Sequence, residues 1–215
     1  MRRCGPAAYP QPIRRCASCA DGDRSLRTVT GIFLALGIGA ATGLGLTAAS
    51  VGRGTGAGVL HIGPWLATPK AGTTEADPYA RAVTARLGTL PLALADGLAL
   101  TAEADDGGQR LDGRCTYRVS GQMPPARFWT LGVVGEDYEP AAPAGQRRAF
   151  TSYEVLRQAD LPIDVVIAAT ARPGNWLPSG GAAQIRLILR LYDTPIATTI
   201  STSTGLPAIT RVACS

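Results

Sequence analysis

Apolar and polar positions follow three different rules along this chain. From Val29 to Val51 the sequence VTGIFLALGIGAATGLGLTAASV runs for 23 residues without a charge. At about 1.5 Å of rise per residue, such a helix covers the roughly 30 Å hydrocarbon core of a bilayer with some tilt. Its glycines would weaken a helix in water. In lipid, each backbone N–H and C=O must bond within the segment, which keeps it helical. The pattern predicts a transmembrane helix.

Between Asp77 and Gly88 the period is helical. Tyr79, Val83 and Leu87 fall on one face; Asp77 suits the N-cap, Pro78 the first helical position and Gly88 the C-terminal turn.

Beyond Pro91 the period shortens to that of strands. Cys115–Gly121 alternates, with Tyr117 and Val119 opposite Thr116, Arg118 and Ser120. Ile185–Tyr192 sets Ile185, Leu187, Leu189 and Leu191 against Arg186, Ile188, Arg190 and Tyr192. Gly97–Ala104, Phe128–Val134 and Asp164–Ala169 read as further strands, with turn-forming runs such as Asp105-Asp106-Gly107-Gly108 between them. Short strands at near-regular spacing predict a mainly β fold. The expected form is an antiparallel, jelly-roll-like sandwich with one short N-terminal helix, preceded by the single transmembrane helix.

These patterns divide the chain into a basic cytoplasmic tail at 1–28, the membrane helix at 29–51, a Gly-, Ala- and Thr-rich spacer at 52–75, the β-sandwich domain at 76–196 and a C-terminal extension at 197–215. Charge orients the scheme. Of a formal net charge of +5, residues 1–51 carry +4, from six arginines and two aspartates. Basic residues stay on the cytoplasmic side of a membrane helix, so the N-terminus is expected inside and the domain in the periplasm of a bacterial inner membrane. Two alternatives stand beside this scheme. Thr47-Ala48-Ala49-Ser50 offers a cleavage site for a secretory signal, and the true start could lie close to Leu26. Gly39 and Gly43 form a GxxxG pair that suits helix self-association. The remainder is almost neutral, which argues against nucleic acid as a partner.

Cysteine chemistry follows compartment. Cys4, Cys16 and Cys19 fall on the reducing side, and no second pair completes a zinc site with Cys16 and Cys19. Cys115 and Cys214 are the two on the outer side and form a candidate disulfide.

Residue types that carry catalysis are sparse in this chain. His61 is the sole histidine and sits in the spacer, which leaves no base for a Ser-His or Cys-His arrangement. No catalytic residue, metal or cofactor is assigned. Glu103, Asp105, Asp106 and Asp112 could ligate calcium, but a solvated hairpin turn explains them better. A carboxylate-dependent hydrolase of envelope polysaccharide, using Glu103, Asp105 or Asp112, is the alternative enzyme reading. Aromatic loops give the candidate ligand site: Arg127 and Trp129 in one, Arg172, Asn175 and Trp176 in the other. Rings beside Arg and Asn would stack a sugar or hold an anionic lipid group, unless Trp176 simply plugs the fold.

Asp77–Ala82, LDGRCTYRVSG (111–121), PPARFWTL (124–131), RPGNWLPSGG (172–181) and LILRLYDTP (187–195) together resemble the bacterial domain-of-unknown-function family numbered 1214. The resemblance runs from about Gly63 to Pro195. It implies a β-rich, jelly-roll-like fold and, from small members with one membrane helix, an envelope protein of alphaproteobacteria. It carries no activity and no catalytic residues. The reading that results is a membrane-anchored, non-enzymatic module for a glycan, a lipid head group or an envelope protein.

Overall fold

A computed structural model describes residues 21–52, 58–157, 162–195 and 205–214, with side chains of the first segment described from Leu26. Cys4, Cys16, Cys19 and most of the basic tail lie outside these residues. The chain divides after Ala49 into two compact units.

In the first unit, α1 spans Asp21–Gly52. Its stretch Leu26–Gly52 is long and apolar enough to cross a membrane, and none of it is buried within the protein. A side chain at Gly39 or Gly43 would meet nothing within 4 Å.

The second unit is mainly β, in two sheets. Ten strands are described: β1 (Leu60–Ile62), β2 (Trp65–Ala67), β3 (Gly97–Ala102), β4 (Cys115–Gly121), β5 (Phe128–Gly135), β6 (Ala149–Thr151), β7 (Ile163–Ala168), β8 (Trp176–Pro178), β9 (Ile185–Tyr192) and β10 (Ala208–Cys214). The larger sheet runs β1-β2-β3-β9-β5-β6 and the smaller β10-β4-β7-β8. Every pair is antiparallel except β7 with β8, which the loop carrying Asn175 joins in parallel.

Alternation along the strands fills the space between the sheets. Leu98, Leu100, Leu131, Val133, Leu187, Leu189 and Leu191 come from the larger sheet, and Tyr117, Val119, Val165, Ile167 and Ile209 from the smaller. Period-2 side chains leave the opposite face of the larger sheet outside this core. Ile188 departs from simple alternation: it points outward yet is buried, because that face is covered too.

Two boundaries differ from those expected. Residues 60–67 lie in the stretch read as spacer, yet β1 and β2 extend the larger sheet through Leu66↔Thr101. Residues 208–214 lie in the stretch read as an extension, yet β10 forms the edge of the smaller sheet against β4. Both strands bury their share of the core, with Trp65 and Ile209 fully enclosed. The indole N–H of Trp65 donates to the Pro207 carbonyl at 2.8 Å, joining the first part of the unit to the last.

Helix α2 (Pro78–Leu87) flanks the larger sheet's outer side across a groove. The Asp77 carboxylate accepts from the N–H groups of Tyr79 and Ala80, and Gly88 ends the helix in the left-handed region at φ 62°. Ala80 is its one buried residue, so α2 is lightly held.

Candidate functional site

The five aromatic-loop residues do not converge. Trp129 is 3% exposed, its ring committed to the core between the sheets. Asn175 is 8% exposed and fully used: its amide donates to the Leu156 and Asp164 carbonyls and accepts from the Leu156 N–H. Trp176 is half-buried, with its indole N–H donating to the Ala168 carbonyl at 3.0 Å. That bond ties the edge of the ring to the end of β7, while the ring itself stays outside the buried core. The neighbouring Gly180 sits at φ +66°, where a side chain would run into the Ala141 carbonyl. Arg172 is exposed in the β7–β8 loop, whereas Arg127 is exposed just ahead of β5 and 3.7 Å from Asp193. The two arginines flank strands of different sheets.

An aromatic surface does form, with other members. Phe128 pairs with Tyr192 across β5 and β9 and also packs on Tyr153, with ring centroids 5.6 and 5.7 Å apart. The sequence could not bring Tyr153 there, because its position depends on the turn after β6.

The carboxylates have structural work. Asp105 is buried, caps its own turn through the Gln109 N–H and pairs with Arg211 at 3.1 Å. Asp106 accepts from the Ile209 N–H at 2.7 Å, tying β10 to the turn. Asp112 takes a two-pronged ion pair from Arg114 and the Arg114 backbone N–H. Those bonds hold its carboxyl at about 2, below the usual 3.8. Glu103 pairs with Arg186 at 2.8 Å. Among the described residues no three metal-binding side chains gather. Cys115 and Cys214 face each other across β4 and β10 and form a disulfide, with Cα atoms 4.0 Å apart.

A concave feature lies elsewhere. A groove of about 520 Å³ runs between α2, the 89–92 segment and the outer face of the larger sheet. Its size is that of a small-molecule site. Leu66, Ile188, Val83, Leu87, Leu90 and Leu92 supply apolar wall. Register explains the floor. Leu66, Thr101 and Ile188 form one row across β2, β3 and β9, and Ala99 and Arg190 form the next. Glu103 and Tyr138 stand at one end, where the Arg186 guanidinium lies 4.9 Å over the Tyr138 ring. Burial raises the Tyr138 phenol above its ordinary range, so it keeps its proton at neutral pH. Arg190 is half-buried and makes no hydrogen bond or ion pair among the described residues. Sequence reasoning named Arg190 as an outward position but saw no groove, since the covering helix is distant in the chain.

Residues 96–196 match the family model described as protein of unknown function, DUF1214. The match takes in four of the five motifs and begins after α2, so α2 and the wall it lends the groove stand outside it. No curated protein matches the chain. Among solved structures, the VPA0106 protein from Vibrio parahaemolyticus is similar at 23% identity and a TM-score of 0.52, over 64% of this chain and 36% of that one. This likeness is one of fold. An uncharacterized protein from Burkholderia cenocepacia aligns at 19% identity and a TM-score of 0.38, over 79% of this chain and 49% of that one. The chain thus spans about a third to a half of the length of these solved relatives.

Proposed function

We propose that this DUF1214 chain is a membrane-anchored domain on the outer side of a bacterial inner membrane, and that it binds an amphipathic small ligand without performing chemistry on it. The observation that carries the binding reading is the α2–sheet groove: concave, walled by aliphatic side chains and holding a few polar groups. A lipid-type ligand suits it better than the glycan or protein partner. Sugars stack on exposed rings, whereas this wall is mainly aliphatic side chains and threonines, and its one aromatic side chain besides His61, Tyr138, lies at one end under Arg186. Two further features support the placement: the apolar Leu26–Gly52 helix and the Cys115–Cys214 bridge, a bond that persists in oxidising compartments. The hydrolase alternative finds no support, since Glu103, Asp105 and Asp112 each carry an ion pair.

Both halves of the reading are testable on the full chain. A phosphatase that works only after export, fused at the C-terminus, will be active, and a fluorescent protein that matures only inside will be dark; the reverse pattern overturns the topology. Native mass spectrometry of the protein from its own membranes will show a bound small molecule. That mass will be missing from Ala99→Phe, where a ring fills the groove floor. Equal ligand-free spectra for both forms would remove the binding half.

A further inference from the structure

We infer that the groove selects an anionic amphiphile, a single carboxylate or phosphate head on an aliphatic tail, with Arg190 holding the head. This rests on the groove being the ligand site and goes further by naming the ligand's chemistry.

Arg190 stands on the groove floor without a carboxylate partner among the described residues. A guanidinium cannot lose its proton, and its five N–H donors ask for acceptors. Partial burial against the groove wall leaves the stem packed and the guanidinium facing the groove, where its donors are met by water in the free protein and are open to a ligand's oxygens. Arginines near it in the larger sheet have carboxylate neighbours. Arg186, two residues earlier on β9, pairs with Glu103 and donates to the Glu136 carbonyl. Arg127, where the chain enters the neighbouring β5, lies against Asp193. Arg190 has Ala99 on one side and Thr130 on the other in the sheet register, neither of them an acid. Glu103, the carboxylate of the groove lining, is already neutralised by Arg186. Among the described residues the lining therefore presents one arginine without a carboxylate partner, Arg190, on a floor it shares with Leu66, Ala99, Thr101 and Ile188.

The ligand follows by complementarity. Its acidic oxygens supply the missing acceptors, with the guanidinium fork suited to two at once. Its tail covers Leu66, Ile188 and the Val83–Leu87 face of α2. A neutral lipid would leave Arg190 unmatched, and a small acid such as acetate would leave the wall wet. Each should bind poorly.

The test uses the full chain in phosphatidylcholine nanodiscs. A diazirine-bearing dodecanoate is photolysed in place and the labelled peptides are mapped. Label is expected on groove peptides containing Leu66, Leu87 or Ile188, with dodecanoate or dodecyl phosphate competing it away and dodecanol or acetate failing to. Whichever of the two acids competes at lower concentration identifies the head group, and either result supports the proposal. Arg190→Gln is expected to cut groove labelling at least tenfold while leaving the melting temperature nearly unchanged, and Arg190→Lys to restore part of it. If dodecanol competes as well as dodecanoate, or if Arg190→Gln labels like wild type, the anion claim falls while the groove remains a binding site. If label never reaches the groove, the binding reading falls with it. Ala99→Phe, which leaves Arg190 in place, provides a second variant should Arg190→Gln fail to fold. Unchanged labelling in Ala99→Phe also counts against the site.

Discussion

Asn175 shows how much one side chain can hold in this fold. Its three bonds lock the β7–β8 loop to the segment around Leu156, a connection that no backbone ladder provides. Replacement by Leu would remove all three bonds from the Leu156 N–H and the Leu156 and Asp164 carbonyls, which are partly shielded from water, and would bury an alkyl group where the buried amide now sits. We expect Asn175→Leu to lower stability by about 2–3 kcal/mol. Labelling of the groove should be unchanged in the molecules that remain folded, and chemical denaturation followed by photolabelling separates the two effects. Asp112 makes a pH-dependent contribution of the opposite kind, near the surface. Its pKa is about 2 folded against 3.8 unfolded, so the stabilisation is complete above about pH 4 and fades as pH falls toward 2. Melting curves across that window should drop more steeply for wild type than for Asp112→Asn. The difference should be modest, because the Arg114 partner is well exposed and solvent screens the pair.

At the scale of the element, α2 is the weak wall of the groove. One buried alanine and an Asp77 cap hold it, in contrast to the ladders beneath. Removing the cap in Asp77→Ala costs about 1 kcal/mol of helix stability. Such a loss should register locally: faster amide exchange across 78–87, with β3, β5 and β9 still protected. Groove labelling should fall in step with that exchange, since Val83 and Leu87 need a formed helix to stand over the sheet. Much of this was legible in the sequence. The cap, the helical face and the alternation of β4 and β9 were all local patterns, and local patterns report which way a side chain points. The groove was not legible, because it needs α2 folded back over residues contributed by β2, β3 and β9. The aromatic loops stayed ambiguous for a related reason. A Trp among Pro, Gly and Asn looks exposed by composition, but Trp176 and Asn175 find acceptors only once β7 and β8 pair in parallel. Strands β1 and β10 were missed because three residues of LHI, or a strand with one core side chain, carry too little period to separate from a linker.

The whole unit is closed by segments that lie outside its family match. Residues 96–196 contain the centre of both sheets, yet β2 brings the enclosed Trp65 to the Pro207 carbonyl, and β10 brings Ile209 into the core. Asp106 accepts from the Ile209 N–H, Arg211 pairs with Asp105, and the Cys115–Cys214 bridge pins the strand's far end. A chain stopped at residue 196 loses all four ties at once. It leaves β4 as an exposed edge able to pair with another molecule. It also forfeits a cross-link spanning 99 residues, worth about 4–5 kcal/mol in the unfolded-chain account. Against a net stability of about 5–15 kcal/mol for ordinary domains, that loss together with the burial of Ile209 is enough to abolish two-state folding. We expect the truncated protein to aggregate or to melt without cooperativity. The double variant Cys115→Ser with Cys214→Ser, which keeps β10 and loses only the bridge, should still melt in one transition at a lower temperature. Differential scanning calorimetry of the three proteins separates these contributions. A cooperative transition in the truncated chain near the wild-type temperature would mean that the family segment is self-sufficient and that the closing strand is ornamental.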